Sequence, residues 1–580
     1  MDVSRFLTLQ PGPRLLRERA SERADRVRFW TRAGDGWTPT TWRELHRDIA
    51  AATRGLVALG LMPGERAAIF APNRVAWLEA AYAIQAAGAA MVPIYPASTA
   101  EQASYVLGHA QTRVVFVGSQ GLLAKLVAAR AVLTQVLERS DSTASEAKPP
   151  KERAEQVQHV VVFDAALVPA AVEAFGAERV HTWDALLAQG TAAPGDTYNA
   201  RVDALGLEDV GLVLYTSGTS GPPKGVPLTY RNTAVNGRDW LTNNAALVEE
   251  GDVDLLWLPM SHIFGFGEAG LGNVLGFETY LCEPAEVLAR MPELRPHVFM
   301  SVPSLWDKLA TQANGDVARL QALTGGRLRF CLSGGAGLHR DVKERFREAG
   351  LLIIEGYGLT EASPTLTMNR PERYRFDSVG LPFPSVAVRL AEDGEIQARG
   401  ESIFRGYLGD PEATAAAFTD DGWLRTGDLG HFTEDGFLQI IGRKKEILVT
   451  AGGKNVPPAN IESEFAGEPL IAHVMVWGDG RKYLVAGIWP DAAAVARLDD
   501  ERGMGLVAAR EAAERAIVAC VESVNARLAR YETIKRFRVF WGEPLSVEAG
   551  HLTATLKLRR RQIGEAFGAL LDALYAGPEA

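Results

Sequence analysis

The sequence predicts an α/β protein with a large N-terminal part built on parallel sheets, followed by a small α+β domain. Three observations lead there. The 580 residues exceed what one hydrophobic core supports, so at least two domains are expected. Over most of the chain, short and nearly continuous apolar runs alternate with helical periodicity, the pattern of parallel strands covered on both faces. Near the C-terminus the pattern changes to a hairpin, one long helix and a further strand.

The elements follow in order. Residues 13–24 read as a helix, and residues 27–37 as a hairpin about Ala33-Gly34-Asp35-Gly36. Thr41 is placed to cap a helix in which Leu45, Ile49, Ala52 and Leu56 recur three and four apart. Strands are expected at 66–70, 91–95 and 113–117, separated by helices at 75–87 and 100–110. Residues 139–156 are dominated by Ser, Glu, Lys and Pro and read as an exposed loop inside the large domain. Further strands are expected at 159–163, 210–215, 253–258, 298–302, 328–332 and 351–354, the last ending abruptly at Tyr357-Gly358. A hairpin turns at Glu434-Asp435-Gly436 and returns over 437–441. In the small domain, 474–477 and 483–489 pair across Gly478-Asp479-Gly480, a helix spans 506–528 and a strand spans 534–541.

A net charge of -10 argues against nucleic acid as a partner and suits a cytoplasmic protein. Cys282, Cys331 and Cys520 have no CxxC spacing, which implies neither a disulfide framework nor a zinc site and fits a reducing compartment. No signal pattern opens the chain and no run approaches a membrane span, although a lipid substrate is compatible with peripheral membrane contact.

Residues 213–225 hold the densest chemistry. The apolar run 210–215 leads into Thr216, Ser217, Gly218, Thr219, Ser220 and Gly221, then two prolines, Lys224 and Gly225. Glycines let backbone N–H groups approach an anion, hydroxyls add donors and the lysine adds a mobile cation, a set suited to polyphosphate. The spacing is not that of a Walker A loop, which needs Gly-x-x-x-x-Gly-Lys-Ser/Thr opening a helix.

Other stretches gain meaning beside it. Pro259-Met260-Ser261-His262 follows a strand, and by itself a lone histidine there is more often a structural residue. Five glycines between 265 and 276 leave room either for an apolar ligand or for close helix packing. Gly335 and Ala336 lie in a Ser-Gly-Gly-Ala-Gly turn, and Asp428 follows a Thr-Gly turn. Gly356-Tyr357-Gly358-Leu359-Thr360-Glu361 combines an aromatic face, a hydroxyl and a carboxylate of the hard kind Mg²⁺ prefers. Arg559 to Arg561 read alternatively as a solvated basic helix start.

The loop at 216–224, the Tyr-Gly-Leu-Thr-Glu segment and the Thr-Gly-Asp segment together resemble the adenylate-forming superfamily, and residues 442–461, 531–537 and 552–560 most resemble its long-chain fatty acyl-CoA synthetases. That resemblance covers essentially the whole chain. It implies an adenylation domain over 1–442, including a β-barrel-like part, and a mobile C-terminal domain over 443–580 hinged near Lys445. It assigns the 216–224 loop to ATP phosphates, and Gly335, Ala336, Gly356, Tyr357 and Gly358 to the adenine side. Asp428 and Arg443 take the ribose, Thr360 the α-phosphate and Glu361 a Mg²⁺ ion. His262 lines the acyl pocket, Lys557 is the catalytic lysine, and Gly452 and Gly453 face the CoA thiol after domain rotation. Such an enzyme joins a fatty acid to CoA through an acyl adenylate, releasing pyrophosphate and then AMP. With no carboxylate between His262 and Glu268, an amino-acid substrate is disfavoured. The rivals are a fatty acyl-AMP ligase serving a carrier protein and a non-catalytic nucleotide-binding regulator. Neither acyl chain length nor oligomeric state is specified by the sequence.

Overall fold

The computed structural model describes residues 2–140, 157–216, 222–503, 505–553 and 557–576. The large domain contains two mainly parallel sheets. One has seven strands, in the spatial order Val180–Thr182, His159–Val162, Thr112–Val117, Arg66–Phe70, Ala90–Pro93, Val210–Thr216 and Lys224–Thr229. All its pairs are parallel except the last, which is an antiparallel ribbon. The other sheet has nine strands, with Glu278–Leu281, Val253–Leu256, Val298–Ser301, Phe330–Ser333 and Ile353–Gly358 in parallel at its centre and antiparallel strands at both ends. The central strands are buried along nearly their whole length, which explains their unbroken apolar sequences.

The β-barrel-like part is a four-stranded antiparallel sheet of Val386–Leu390, Glu395–Gly400, Leu424–Phe432 and Leu438–Arg443. The small domain has a two-stranded ribbon, Leu448–Val449 with Asn455–Val456. It also has a three-stranded sheet of Ile471–Trp477, Leu484–Pro490 and Ile534–Val539, packed on the long helix Leu506–Arg527. Thr41 caps its helix as expected, and Glu44 completes a capping box.

Two expectations need correction. The strand expected at 351–354 instead spans Ile353–Gly358, pairing Tyr357 with Thr367 and Gly358 with Thr365. Only glycine fits at 358, where a Cβ would lie 1.9 Å from the Pro364 carbonyl oxygen. The loop expected from 139 begins later, since the preceding helix spans Gln120–Ser140; residues 141–156 lie outside the described residues.

The strand Ile353–Gly358 is braced by a buried ion pair. Lys343 Nζ lies 2.6 Å from Glu355 Oε2, and both side chains are 4% exposed. Glu355 Oε1 accepts the Leu338 N–H at 2.9 Å, so the carboxylate also fixes the end of the 334–338 turn. Removing one partner of a buried pair strands the other charge, so Lys343→Ala is expected to cost about 3–5 kcal/mol of stability. Chemical denaturation measures this, and a loss below about 1 kcal/mol would show that the pair braces nothing.

Candidate active site

The stretch read from the sequence as a phosphate loop is bordered by two antiparallel strands. Thr216 and Lys224 are directly paired residues at its mouth, on the antiparallel strands Val210–Thr216 and Lys224–Thr229. Ser217, Gly218, Thr219, Ser220 and Gly221 lie outside the described residues. Lys224 therefore projects from a ladder, where backbone pairing fixes its Cα. The Lys224 ammonium rests 4.7 Å from the ring centroid of Tyr407, a cation–π contact worth about 0.5–2 kcal/mol.

Tyr407 also donates its hydroxyl to Glu361 Oε1 at 2.9 Å. Glu361 sits in the short 3₁₀ turn Thr360–Ala362 that ends the strand carrying Tyr357, and it is 9% exposed. Among the described residues, no hydrogen bond or ion pair reaches Glu361 Oε2. Nor do three or more His, Cys, Asp and Glu side chains gather into a metal-binding group. A single hard carboxylate oxygen suits Mg²⁺, which takes few protein ligands and completes its shell from water and phosphate. The donor set at Glu361 fits that ion. Thr360, half-buried, precedes it on the same turn.

A second cluster joins Tyr357, Asp428 and Arg443. Asp428 stands opposite Arg443 on adjacent strands. Its Oδ1 lies 3.0 Å from Arg443 Nε, and its Oδ2 accepts the Tyr357 hydroxyl at 2.7 Å. Burial pushes the Asp428 pKa up, opposed by the Arg443 and Tyr357 contacts. Tyr357 is held well above the ordinary phenol range by burial and by the Asp428 charge, so it remains a donor. Gly356 lies against Met368, while Gly335 is open, with nothing within 4 Å of a Cβ built there, and Ala336 beside it is exposed.

The small domain reaches this cluster through Lys557, whose Nζ donates to the Gly335 carbonyl at 3.0 Å. Desolvation, then the Arg443 guanidinium, lowers the Lys557 pKa. A second contact between the domains pairs His339 Nε2 with Glu464 Oε1 at 3.0 Å, while Arg527 holds the other Glu464 oxygen at 2.9 Å. Within the small domain Arg560 is largely enclosed, bonded to Glu462 and 3.3 Å from Glu446, so the basic run after Lys557 is not merely solvated. Opposed carboxylates outweigh desolvation there and raise the arginine's pKa. Lys445 is exposed in the turn after Leu438–Arg443. Gly452 and Gly453 are exposed in the ribbon turn, and a φ of 73° at Gly453 is itself a reason for glycine.

His262 caps the helix Ile263–Leu275, its Nδ1 accepting the Phe264 N–H at 3.1 Å. Asn73 pins the approach to it, donating to the Leu258 carbonyl at 2.8 Å and accepting the Met260 N–H at 2.9 Å. Because Nδ1 accepts, the proton of neutral His262 is on Nε2. Burial, then Lys557, lowers its pKa to about 4. The glycines of this helix divide into two kinds. A Cβ on Gly265 would lie 2.5 Å from the Pro259 oxygen, and one on Gly272 2.5 Å from Arg28, so these permit close packing. Gly267 and Gly270 face open space; with Leu271 and Val274 they form a stripe spaced three and four apart. Glu268 is buried away from that stripe, and desolvation, then Asp254, raises its pKa so that it stays protonated.

This is the architecture of the adenylate-forming enzymes. It matches the adenylation domain of a carboxylate reductase from Mycobacterium chelonae with TM-score 0.80 at 22% identity, over 98% of this chain and 91% of that one. It matches O-succinylbenzoate coenzyme A synthetase from Bacillus subtilis, solved with ATP and magnesium ion, with TM-score 0.68 at 21% identity, over 96% and 99%. The chain belongs to the AMP-binding enzyme family: that family's profile matches residues 16–408, and the profile of the AMP-binding enzyme C-terminal domain matches 445–579. The long-chain-fatty-acid–CoA ligase FadD15 of Mycobacterium tuberculosis is 30% identical over 606 aligned residues, covering 94% of each chain. A 3-[(3aS,4S,7aS)-7a-methyl-1,5-dioxo-octahydro-1H-inden-4-yl]propanoyl:CoA ligase of the same organism is 34% identical over 451, covering 76% of this chain and 80% of that one.

Sequence reading missed Tyr407, Asn73, Glu464 and the Lys343–Glu355 brace. Tyr407, Asn73 and Glu464 act through partners remote in sequence, and the Lys343–Glu355 pair joins a helix to a strand, so no local signal names the partner. In ¹⁵N-histidine-labelled protein, His262 is expected to remain neutral and Nε2-protonated from pH 6 to 8, charging only near pH 4. An imidazolium signal at pH 6.5 would contradict this.

Proposed function

We propose that the chain activates a fatty acid, of long-chain type, with ATP and transfers the acyl group to CoA. The observation that carries this reading is the meeting of Lys557 from the small domain with Gly335, beside the Tyr357–Asp428–Arg443 cluster. The open stripe at Gly267, Gly270, Leu271 and Val274 suits an apolar tail. Glu268, neutral and turned away, offers no counter-charge to an amine. Names of relatives support CoA ligation, with long-chain fatty acids in FadD15 and a polycyclic propanoate in the second relative.

In this reading a carboxylate oxygen of the acid attacks the α-phosphorus of ATP, and the bond to pyrophosphate breaks. His262 Nε2–H orients the carboxylate. Lys557 and Thr360 donate to α-phosphate oxygens, where charge builds in the transition state. Lys224 and the 216–221 loop bind the β- and γ-phosphates, while Asp428 and Arg443 take the ribose and Gly335, Ala336 and Tyr357 flank the adenine. Glu361 would hold a magnesium ion, which when bound would neutralise phosphate charge. In the second half, the CoA sulfur attacks the acyl carbonyl, the mixed anhydride bond breaks, AMP leaves and the thiol proton passes to solvent. For this step residues 443–580 turn about Lys445 against 1–442, withdrawing Lys557 and bringing Gly452 and Gly453 to the thiol.

Lys557→Ala is expected to lose about 10²–10³-fold in adenylation and much less in thioester formation from preformed acyl adenylate; equal losses would remove the lysine from its role. Gly267→Leu and Gly270→Leu are expected to move the preferred acid toward shorter chains, measured as kcat/KM over a saturated fatty-acid series. An unchanged optimum would place the acyl chain elsewhere. Adenylate that forms on the wild-type enzyme but never reaches CoA would mark an acyl-AMP ligase instead.

A further inference from the structure

Lys224 and Glu361 carry opposite charges within reach of one side chain, yet do not pair with each other. Tyr407 lies between them. Its ring face takes the Lys224 ammonium at 4.7 Å and its hydroxyl donates to Glu361 Oε1 at 2.9 Å. The backbone repeats the link, since the Phe404 N–H donates to the Glu361 carbonyl at 2.8 Å and the Leu408 N–H to the Gly225 carbonyl at 2.9 Å. The tyrosine is held in turn. Its N–H donates to Thr414 Oγ1 at 2.9 Å, and its ring meets Phe404 edge-on at 4.9 Å.

A direct Lys224–Glu361 pair would consume both groups before a nucleotide arrived. A cation on a ring face is held more weakly than one making charge-assisted bonds to phosphate, so the ammonium is available for transfer. The hydroxyl engages one carboxylate oxygen and leaves the other to a cation. We propose that Tyr407 is a positioning residue that keeps Lys224 and Glu361 apart and ready, surrendering the lysine to the polyphosphate while steadying the carboxylate for magnesium. This inference rests on the ATP-dependent reading above.

The test is calorimetric titration with α,β-methylene-ATP, with and without Mg²⁺, on the wild type, Tyr407→Phe and Tyr407→Leu. Phe keeps the ring and loses the hydroxyl. Its magnesium-free affinity is expected within about twofold of the wild type, while the gain on adding Mg²⁺ falls about tenfold. Leu frees the two charges to pair, and its magnesium-free affinity is expected to fall as well. In Tyr407→Phe, pyrophosphate formation is expected to suffer more than thioester formation from preformed adenylate. Equal weakening of both titrations by Phe would mean general scaffolding and overturn the proposal, as would wild-type binding in both variants. If Leu does not fold, the Phe titrations alone decide. A wild type that binds no nucleotide would overturn the ATP-dependent reading, a different result from all of these.

Discussion

Three sheets meet at one phenol. The seven-stranded sheet delivers Lys224 on its terminal ribbon, and the nine-stranded sheet delivers Glu361 just beyond Ile353–Gly358. Tyr407 comes from the connection between two strands of the antiparallel sheet, Glu395–Gly400 and Leu424–Phe432. Holding this junction requires more than the phenol. Asn232, in the capping box at the start of the helix Tyr230–Asn244, donates to the Glu401 and Ile403 carbonyls. Asn236, one turn later, donates to the Ala362 and Thr365 carbonyls. One helix thus fixes both flanks of the site through buried amide groups, which lose a full hydrogen bond if displaced.

The helix Ile263–Leu275 offers space in place of charge. Around the helix Ile263–Leu275 the same residue type does opposite work on opposite faces: Gly265 and Gly272 close the packing, and Gly267 and Gly270 leave a gap. Arg28 occupies the room made by Gly272, bonded to Asn273 at 2.8 Å and to the Ala269 carbonyl at 2.9 Å. This inner face is therefore polar but closed, and the outer one apolar and open. At the head of the helix the two nitrogens of His262 divide the work: Nδ1 caps the helix and Nε2 carries the proton.

Much of this was legible in the sequence where the physics is local. Unbroken apolar runs mark the central strands, Thr41 marks a cap, and the 216–224 and 357–361 segments stand out because their polar residues and glycines are consecutive. Tyr407 was not legible, because a tyrosine in a connection has no meaning until Lys224 and Glu361 are known to flank it. The glycines between 265 and 276 had two readings, and only the neighbours of each missing Cβ divide them. Arg560 looked solvated because its partners, Glu462 and Glu446, are about a hundred residues earlier. Among the described residues no helix is long and apolar enough to cross a membrane, in keeping with the hydropathy pattern.

Attack of the acid on the α-phosphorus of ATP is tested by isotope transfer. A fatty acid with both carboxylate oxygens as ¹⁸O is incubated with the protein, ATP, Mg²⁺ and CoA, and the products are analysed by mass spectrometry. One ¹⁸O is expected in AMP, one in the acyl-CoA and none in pyrophosphate. Label in inorganic phosphate, or AMP formed without label, would contradict it.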